Sequence, residues 1–75
     1  MPRRHPVLTA FGLSVRKQRE ARGLTQESLA ERADLDQTYI SGIERGIRNP
    51  SILSIAKIAK AMGISIAGLC RRIDE

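Results

Sequence analysis

The stretch of sequence that decides the fold is residues 24–46, LTQESLAERADLDQTYISGIERG. In its second half, residues 36–45, Ile40 and Ile43 stand three positions apart, the spacing of side chains on one face of a helix. The positions predicted to point away from that face hold Gln37, Thr38, Ser41, Gly42 and Arg45. A helix surface that is merely solvated usually carries Glu and Lys, whereas short neutral hydrogen-bonding side chains match the edges of DNA bases. The pattern therefore predicts a helix that enters a DNA groove.

A second predicted helix precedes that one within the same stretch. Thr25 is a suitable N-cap for residues 26–33, and after a turn at residues 34–36 Asp36 is a suitable cap for the next helix. The residues that we expect to face the core here are Leu29, Ala30, Ala33 and Leu35. Two helices joined by a turn of three or four residues form a helix-turn-helix motif, whose second helix is the reading helix.

The rest of the chain predicts three more short helices. The first spans residues 9–23, the fourth spans residues 52–62, and the fifth runs from residue 66 to about residue 72. Their start signals are the N-cap residues Thr9, Ser51 and Ser65. The predicted inward row of the fourth helix is Ile52, Ile55, Ile58, Ala59 and Met62.

Length and composition predict one small all-α domain. The chain has 75 residues, 41% of them hydrophobic, and its only aromatic side chains are Phe11 and Tyr39. A core of aliphatic side chains suits packed short helices better than a β-sandwich. We expect residues 9–75 to form this domain and residues 1–8, which contain two prolines and two arginines, to form a flexible basic arm.

The charge balance favours a polyanionic partner. The formal net charge is +5, and residues 1–24 hold six Lys or Arg against one Glu, while residues 25–36 are acidic. Nucleic acid is therefore the first candidate partner and an anionic membrane surface the second, although the basic residues are not arranged along one long amphipathic helix. A single cysteine, Cys70, rules out an internal disulfide and is typical of a reducing cytoplasm.

Residues 24–51, LTQESLAERADLDQTYISGIERGIRNPS, resemble the lambda-repressor/Cro-type (XRE) helix-turn-helix family. The similarity continues to Leu69 and covers roughly residues 11–70. It implies a lambda-repressor-like domain of five short helices, with the helix-turn-helix at helices two and three. The small size and the TYISGIERGIRNPS segment also resemble the controller proteins of restriction-modification systems, which are all-helical homodimers that regulate their own operon.

The resemblance implies roles for individual residues. The positions that touch base edges are Gln37, Thr38, Ser41 and Gly42. Those that contact the DNA backbone are Gln26, Arg45, Arg48 and Asn49. Apart from the resemblance, Tyr39 neighbours Thr38 near the start of the helix, so we expect its hydroxyl to contact a phosphate of the backbone. For Tyr39, a lid over the core is the alternative role. Arg19 and Glu44 look like the ion pair that ties the first helix to the end of the reading helix.

Apolar residues beyond those that a small core needs predict a symmetric dimer. These are Leu53, Ile64, Ile66 and Ile73, near helices four and five. The alternative is that they cover a shallow monomeric core. The expected partners are therefore double-stranded DNA and a second copy of the chain, with no membrane and no evident small-molecule ligand.

Other functions receive less support from the sequence. It shows no nucleophile with a candidate base, no Gly-rich phosphate loop and no metal-ligand spacing, so we expect neither an enzyme nor a cofactor. The more serious alternative is an antitoxin-like protein-interaction module that uses the same fold. Such a module should expose large apolar side chains on the third helix, where this chain has Gln37, Thr38 and Ser41. We therefore expect a transcription regulator, cytoplasmic and nucleoid-associated when bound to DNA.

Overall fold

The computed structural model describes residues 5–71 and 73, and this part of the chain contains five helices. No β-strand occurs within these residues. The predicted all-α class, with five helices in the expected order, is confirmed. The helices are α1 (Pro6–Ala21), α2 (Gln26–Ala33), α3 (Gln37–Glu44), α4 (Ile52–Ala61) and α5 (Ile66–Cys70).

The start of α1 differs from the prediction. The helix begins at Pro6 rather than near Thr9, and the Nδ1 atom of His5 accepts a hydrogen bond from the Val7 N–H at 3.2 Å. Proline is favoured at the first helical position, because the N–H that it lacks would have no partner there. Residues 6–8 therefore belong to a helix and not to a flexible arm, while residues 1–4 of the predicted arm lie outside the described residues.

The other helices begin at the side chains that the sequence indicated. Thr25 and Ser28 cap α2 reciprocally, each side chain accepting a hydrogen bond from the other residue's N–H. Asp36 accepts a hydrogen bond from the Thr38 N–H at 2.7 Å, and Ser51 and Ser65 cap α4 and α5 in the same manner. Each cap stabilises its helix by about 1 kcal/mol.

The core lies where α3 packs between α1 and α2, with α4 against α2 and α5 against α1 and α4. Its largest fully buried side chains are Val15, Leu29, Ile40, Ile43, Ile58 and Leu69. Replacing a buried Leu or Ile by alanine lowers the free energy of unfolding by roughly 2–5 kcal/mol. These contacts therefore hold α3 in its place on the surface of the domain.

Three features of the C-terminal helices correct the predictions. Ile52 is 71% exposed, because the buried row of α4 begins at Ser54 and continues four and eight residues later at Ile58 and Met62. The helix itself ends at Ala61, with Met62 as its C-cap. The last helix, α5, ends at Cys70 rather than near residue 72, which lies outside the described residues.

Gly12 permits a close approach of α1 to the end of α3, which the sequence did not reveal. A Cβ at Gly12 would overlap the carbonyl oxygen of Ile43 and lie 2.7 Å from that of Glu44. Both neighbours are backbone atoms, so they cannot swing aside as a side chain would. The contact therefore fixes the position of α1 against the C-terminal end of α3.

Candidate nucleic-acid interface

The first two turns of α3 present polar side chains on the surface. Gln37 and Thr38 are exposed and Ser41 is half-buried. Gln37 and Ser41 are four residues apart, so they lie on the same side of the helix. Ile40 and Ile43, on the opposite side, are fully buried and attach the helix to the core. The structure thus brings together three of the four residues predicted to read bases.

Gly42, the fourth of them, lies on the same side of α3 as Thr38, four residues earlier, but it is buried rather than exposed. The reason is that the aliphatic stem of Arg48 lies over it. A Cβ built at Gly42 would overlap Cγ of Arg48 and would lie 3.4 Å from both Cδ and Nε of that side chain. Whether Gly42 touches DNA stays a prediction.

The residues predicted to contact the DNA backbone at the end of α3 are exposed. The helix ends at Glu44, and Gly46 adopts a left-handed conformation with φ of +75°, packed against Thr9 of α1. A residue with a side chain would be strained there, so the turn that follows depends on glycine. The exposed residues around this turn are Arg45, Arg48 and Asn49.

A hydrogen-bonded ion pair connects α1 to the end of α3, as the resemblance implied. Nε of Arg19 lies 2.7 Å from Oε2 of Glu44, and Nη2 lies 3.0 Å from Oε1. Arg19 also donates to the carbonyl oxygen of Leu24 at 2.8 Å. Only 11% of the Arg19 side chain and 3% of the Glu44 side chain are exposed. The hydrogen bonds to Glu44 raise the pKa of Arg19 above its usual value, so the guanidinium group stays charged.

Gln26 joins this pair rather than standing free at the surface. Its side-chain Nε2 donates to Oε1 of Glu44 at 3.0 Å, and the residue is half-buried. Glu44 therefore accepts three hydrogen bonds from two side chains. The sequence pattern gave no indication of this contact, because it joins residues 18 positions apart. A role for Gln26 in binding a phosphate stays a prediction.

Tyr39, on α3, contacts α4. Its hydroxyl donates to Oγ of Ser54 at 3.2 Å, and Ser51 also donates to that oxygen, at 3.0 Å. Tyr39 is half-buried and packs against the core, which agrees with a lid over the core. The expected contact of Tyr39 with a phosphate stays a prediction.

The residues predicted to form a dimer interface separate into two groups. Leu53 is 64% exposed and Ile66 is 40% exposed. Ile64 and Ile73 are half-buried and pack against the core. Ile52, which we expected inside, adds to the exposed apolar surface beside Leu53. Part of the apolar surplus thus serves the monomer, and part of it lies on the surface.

Within the described residues, no group of three or more His, Cys, Asp or Glu side chains could hold a metal ion. None of the helices in this part of the chain has the length and apolar character that crossing a membrane requires.

Cys70 is half-buried, and burial raises the pKa of its thiol. Its thiol is therefore a poorer nucleophile than an exposed one at neutral pH.

Known proteins resemble this chain in both sequence and structure. The control protein C.MunI from Mycoplasma sp is 42% identical over 87% of this chain and 89% of that protein. The restriction-modification controller protein C.AhdI from Aeromonas hydrophila is 45% identical, with a TM-score of 0.82, over 83% of this chain and 94% of that one.

A third relative has been solved with DNA. The controller protein C.Esp1396I, bound to a 19-base-pair DNA duplex, is 38% identical with a TM-score of 0.81, over 91% of each chain. It has also been solved as a tetramer in complex with its natural 35-base-pair operator. The sequence profile of the family described as "Helix-turn-helix" matches residues 15–69, which is more than half of this chain. The chain therefore belongs to the helix-turn-helix family, as the resemblance of residues 24–51 had indicated.

Proposed function

We propose that the chain is a DNA-binding transcription regulator that acts as a homodimer on a pseudo-palindromic operator. The observation that carries this proposal is the exposed face of α3. Gln37 and Thr38 project from its first turn, and the buried Ile40 and Ile43 hold the helix firmly beneath them. An α-helix presented in this way fits the major groove, where every base pair offers a distinct pattern of donors and acceptors.

Affinity and specificity come from different residues. Arg45, Arg48 and Asn49 are exposed beyond the end of α3, where their side chains can reach phosphates. The two arginines would neutralise phosphates and release counterions. Gln37 can form a bidentate pair of hydrogen bonds with adenine. Thr38 offers a hydroxyl group for hydrogen bonding and a methyl group that can contact the methyl group of thymine. Ser41 lies one turn further along the same face.

The dimer is formed through the exposed apolar residues of α4 and α5. Leu53 and Ile66 are the exposed members of the predicted interface, and an exposed apolar patch on a small domain commonly marks a contact with another protein. A two-fold symmetric contact would place two α3 helices about 34 Å apart, one turn of the double helix. Each would then read one half of a pseudo-palindrome.

The relatives support a role in a restriction-modification system. C.MunI is named a control protein, and C.AhdI and C.Esp1396I are restriction-modification controller proteins. The regulator would then act on the operon that encodes it, with dimerisation and concentration as its control. It would work in the cytoplasm, on the nucleoid, and its action on DNA would require no catalysis and no cofactor.

The alternative function, an antitoxin-like module that binds a protein, has less support. On α3 the residues away from the core are polar, and the exposed apolar residues lie instead on α4, on α5 and at scattered positions elsewhere. A protein-binding α3 would be expected to expose large apolar side chains.

The test is selection of bound duplexes from a random DNA library at two salt concentrations. We expect an enriched pseudo-palindrome whose half-sites are about ten base pairs apart, with affinity that falls as salt rises. Binding that is salt-sensitive but selects no sequence would contradict the proposal, and it would make the protein-binding alternative the leading one.

A further inference from the structure

The side chain of Arg48 occupies the space beside Gly42 that a side chain at position 42 would fill. Gly42 lies in the second turn of α3, four residues after Thr38, and it is buried. The atoms nearest to a Cβ at this position are Cγ, Cδ and Nε of Arg48. The aliphatic part of Arg48 therefore crosses the surface of α3 at Gly42.

The backbone holds Arg48 in this place. The carbonyl oxygen of Gly42 accepts hydrogen bonds from the N–H groups of both Ile47 and Arg48, at 3.0 and 3.2 Å. The chain thus turns back after α3 and returns residue 48 to residue 42. With the described residues, the guanidinium group of Arg48 makes no hydrogen bond and no ion pair. Its stem is packed while its charged end stays available.

We propose that Gly42 is a positioning residue for Arg48. By leaving room for the stem, it directs the guanidinium along the exposed face of α3, ready to bind DNA. The inference rests on the proposed function and deepens it, because it assigns to Gly42 a role through Arg48 in place of a direct contact with a base.

The energetics of a helix agree with this role. Glycine in the interior of a helix is less favourable than alanine, so helix stability alone would select another residue at position 42. An arginine side chain that is free in solution must be ordered when it binds, and that ordering weakens binding. A stem already packed over Gly42 loses less freedom on binding.

Gly42→Ala tests the proposal, because the added methyl group would displace the stem of Arg48. The stem is flexible, so the fold should persist, with an unchanged or higher melting temperature by circular dichroism. Affinity for the selected operator should fall by roughly threefold to tenfold per half-site, the effect of ordering one long side chain. Unchanged affinity would overturn the proposal.

Two further backgrounds distinguish positioning from direct obstruction of DNA. In an Arg48→Ala chain, Gly42→Ala should cause no further loss of affinity, because the side chain that it displaces is already absent. In an Arg45→Ala chain, the matched control, the full loss should reappear, since no atom of Arg45 is among the three nearest to the site. An equal loss in the Arg48→Ala and wild-type backgrounds would overturn the proposal in favour of a direct clash with DNA.

A measurement on the unsubstituted protein covers the case in which Gly42→Ala fails to fold. Nuclear Overhauser contacts between the α-protons of Gly42 and the γ-protons of Arg48 should be present without DNA, and their absence would overturn the proposal. The proposed function fails by a different result, a wild-type chain that selects no DNA sequence. The two failures are therefore distinguishable.

Discussion

Removal of the Glu44 carboxylate tests how α3 is held. In Glu44→Ala, Arg19 loses both of its hydrogen bonds to Glu44 and keeps the one to the Leu24 carbonyl, while Gln26 loses its bond of 3.0 Å. Breaking a buried pair by removing one partner costs about 3–5 kcal/mol. Because 11% of Arg19 is exposed and one hydrogen bond remains, we expect the lower end, about 3 kcal/mol.

That loss would be large for a domain of 75 residues. Stability of about 0.05–0.15 kcal/mol per residue gives a total of roughly 4–11 kcal/mol. A loss of about 3 kcal/mol corresponds to a fall in melting temperature of roughly 12–24 °C. Urea and thermal unfolding, followed by circular dichroism, measure both quantities.

The matched control is Glu20→Ala. Glu20 pairs with Arg16 of the same helix, but the two side chains are 54% and 58% exposed, and their Nε–Oε2 distance is 3.4 Å. Exposed pairs of this type contribute about 0.5 kcal/mol or less. A loss below about 1 kcal/mol in Glu44→Ala, or equal losses in the two variants, would refute the reasoning.

Three other predictions concern the packing, the dimer and the DNA backbone. Gly12→Ala should destabilise the fold by roughly 1–3 kcal/mol, because its methyl group would overlap the Ile43 carbonyl; an unchanged urea midpoint would contradict this. Leu53→Glu should leave the circular dichroism spectrum intact, since Leu53 is 64% exposed, and should shift the dimer to monomer in sedimentation while weakening operator binding. A variant that still sediments as a dimer would remove Leu53 from the interface. Arg45→Ala should weaken binding to all DNA sequences alike and reduce the salt slope of a dimer by roughly 1.8, whereas an unchanged slope would show that Arg45 contacts no phosphate.

Local signals explain why much of the fold was predictable. Thr25, Asp36, Ser51 and Ser65 each cap a helix through hydrogen bonds to N–H groups two or three residues later, so a short window of sequence contains the whole interaction. The spacing of Ile40 and Ile43 likewise predicted which side of α3 is buried. His5 is a less common cap, and the start of α1 was therefore misplaced.

The features that the sequence did not reveal depend on contacts between distant residues. Gly12 is required by backbone atoms of α3, more than 30 positions later in the chain. Gly42 is buried because the loop after α3 returns Arg48 to it, and the polarity of neighbouring residues gives no sign of this. Gln26 was placed at the DNA surface by resemblance, and its hydrogen bond to Glu44 appears only in three dimensions.

We propose that α3 reads DNA bases through Gln37 and Thr38. Both side chains are exposed. Within the described residues, neither side chain forms a hydrogen bond, and Thr38 donates one only through its backbone N–H, to Asp36. Their removal should therefore leave the fold unchanged. A bidentate pair of hydrogen bonds from a side chain to a base contributes about 1–3 kcal/mol of discrimination against the wrong base.

The most direct measurement compares the DNA sequences selected by the wild-type chain and by a Gln37→Ala, Thr38→Ala double variant, at one salt concentration. We predict that the variant keeps its affinity for non-specific duplexes and loses preference at the base pairs of each half-site that α3 faces. An unchanged sequence preference in the variant would contradict the claim that these residues read the operator.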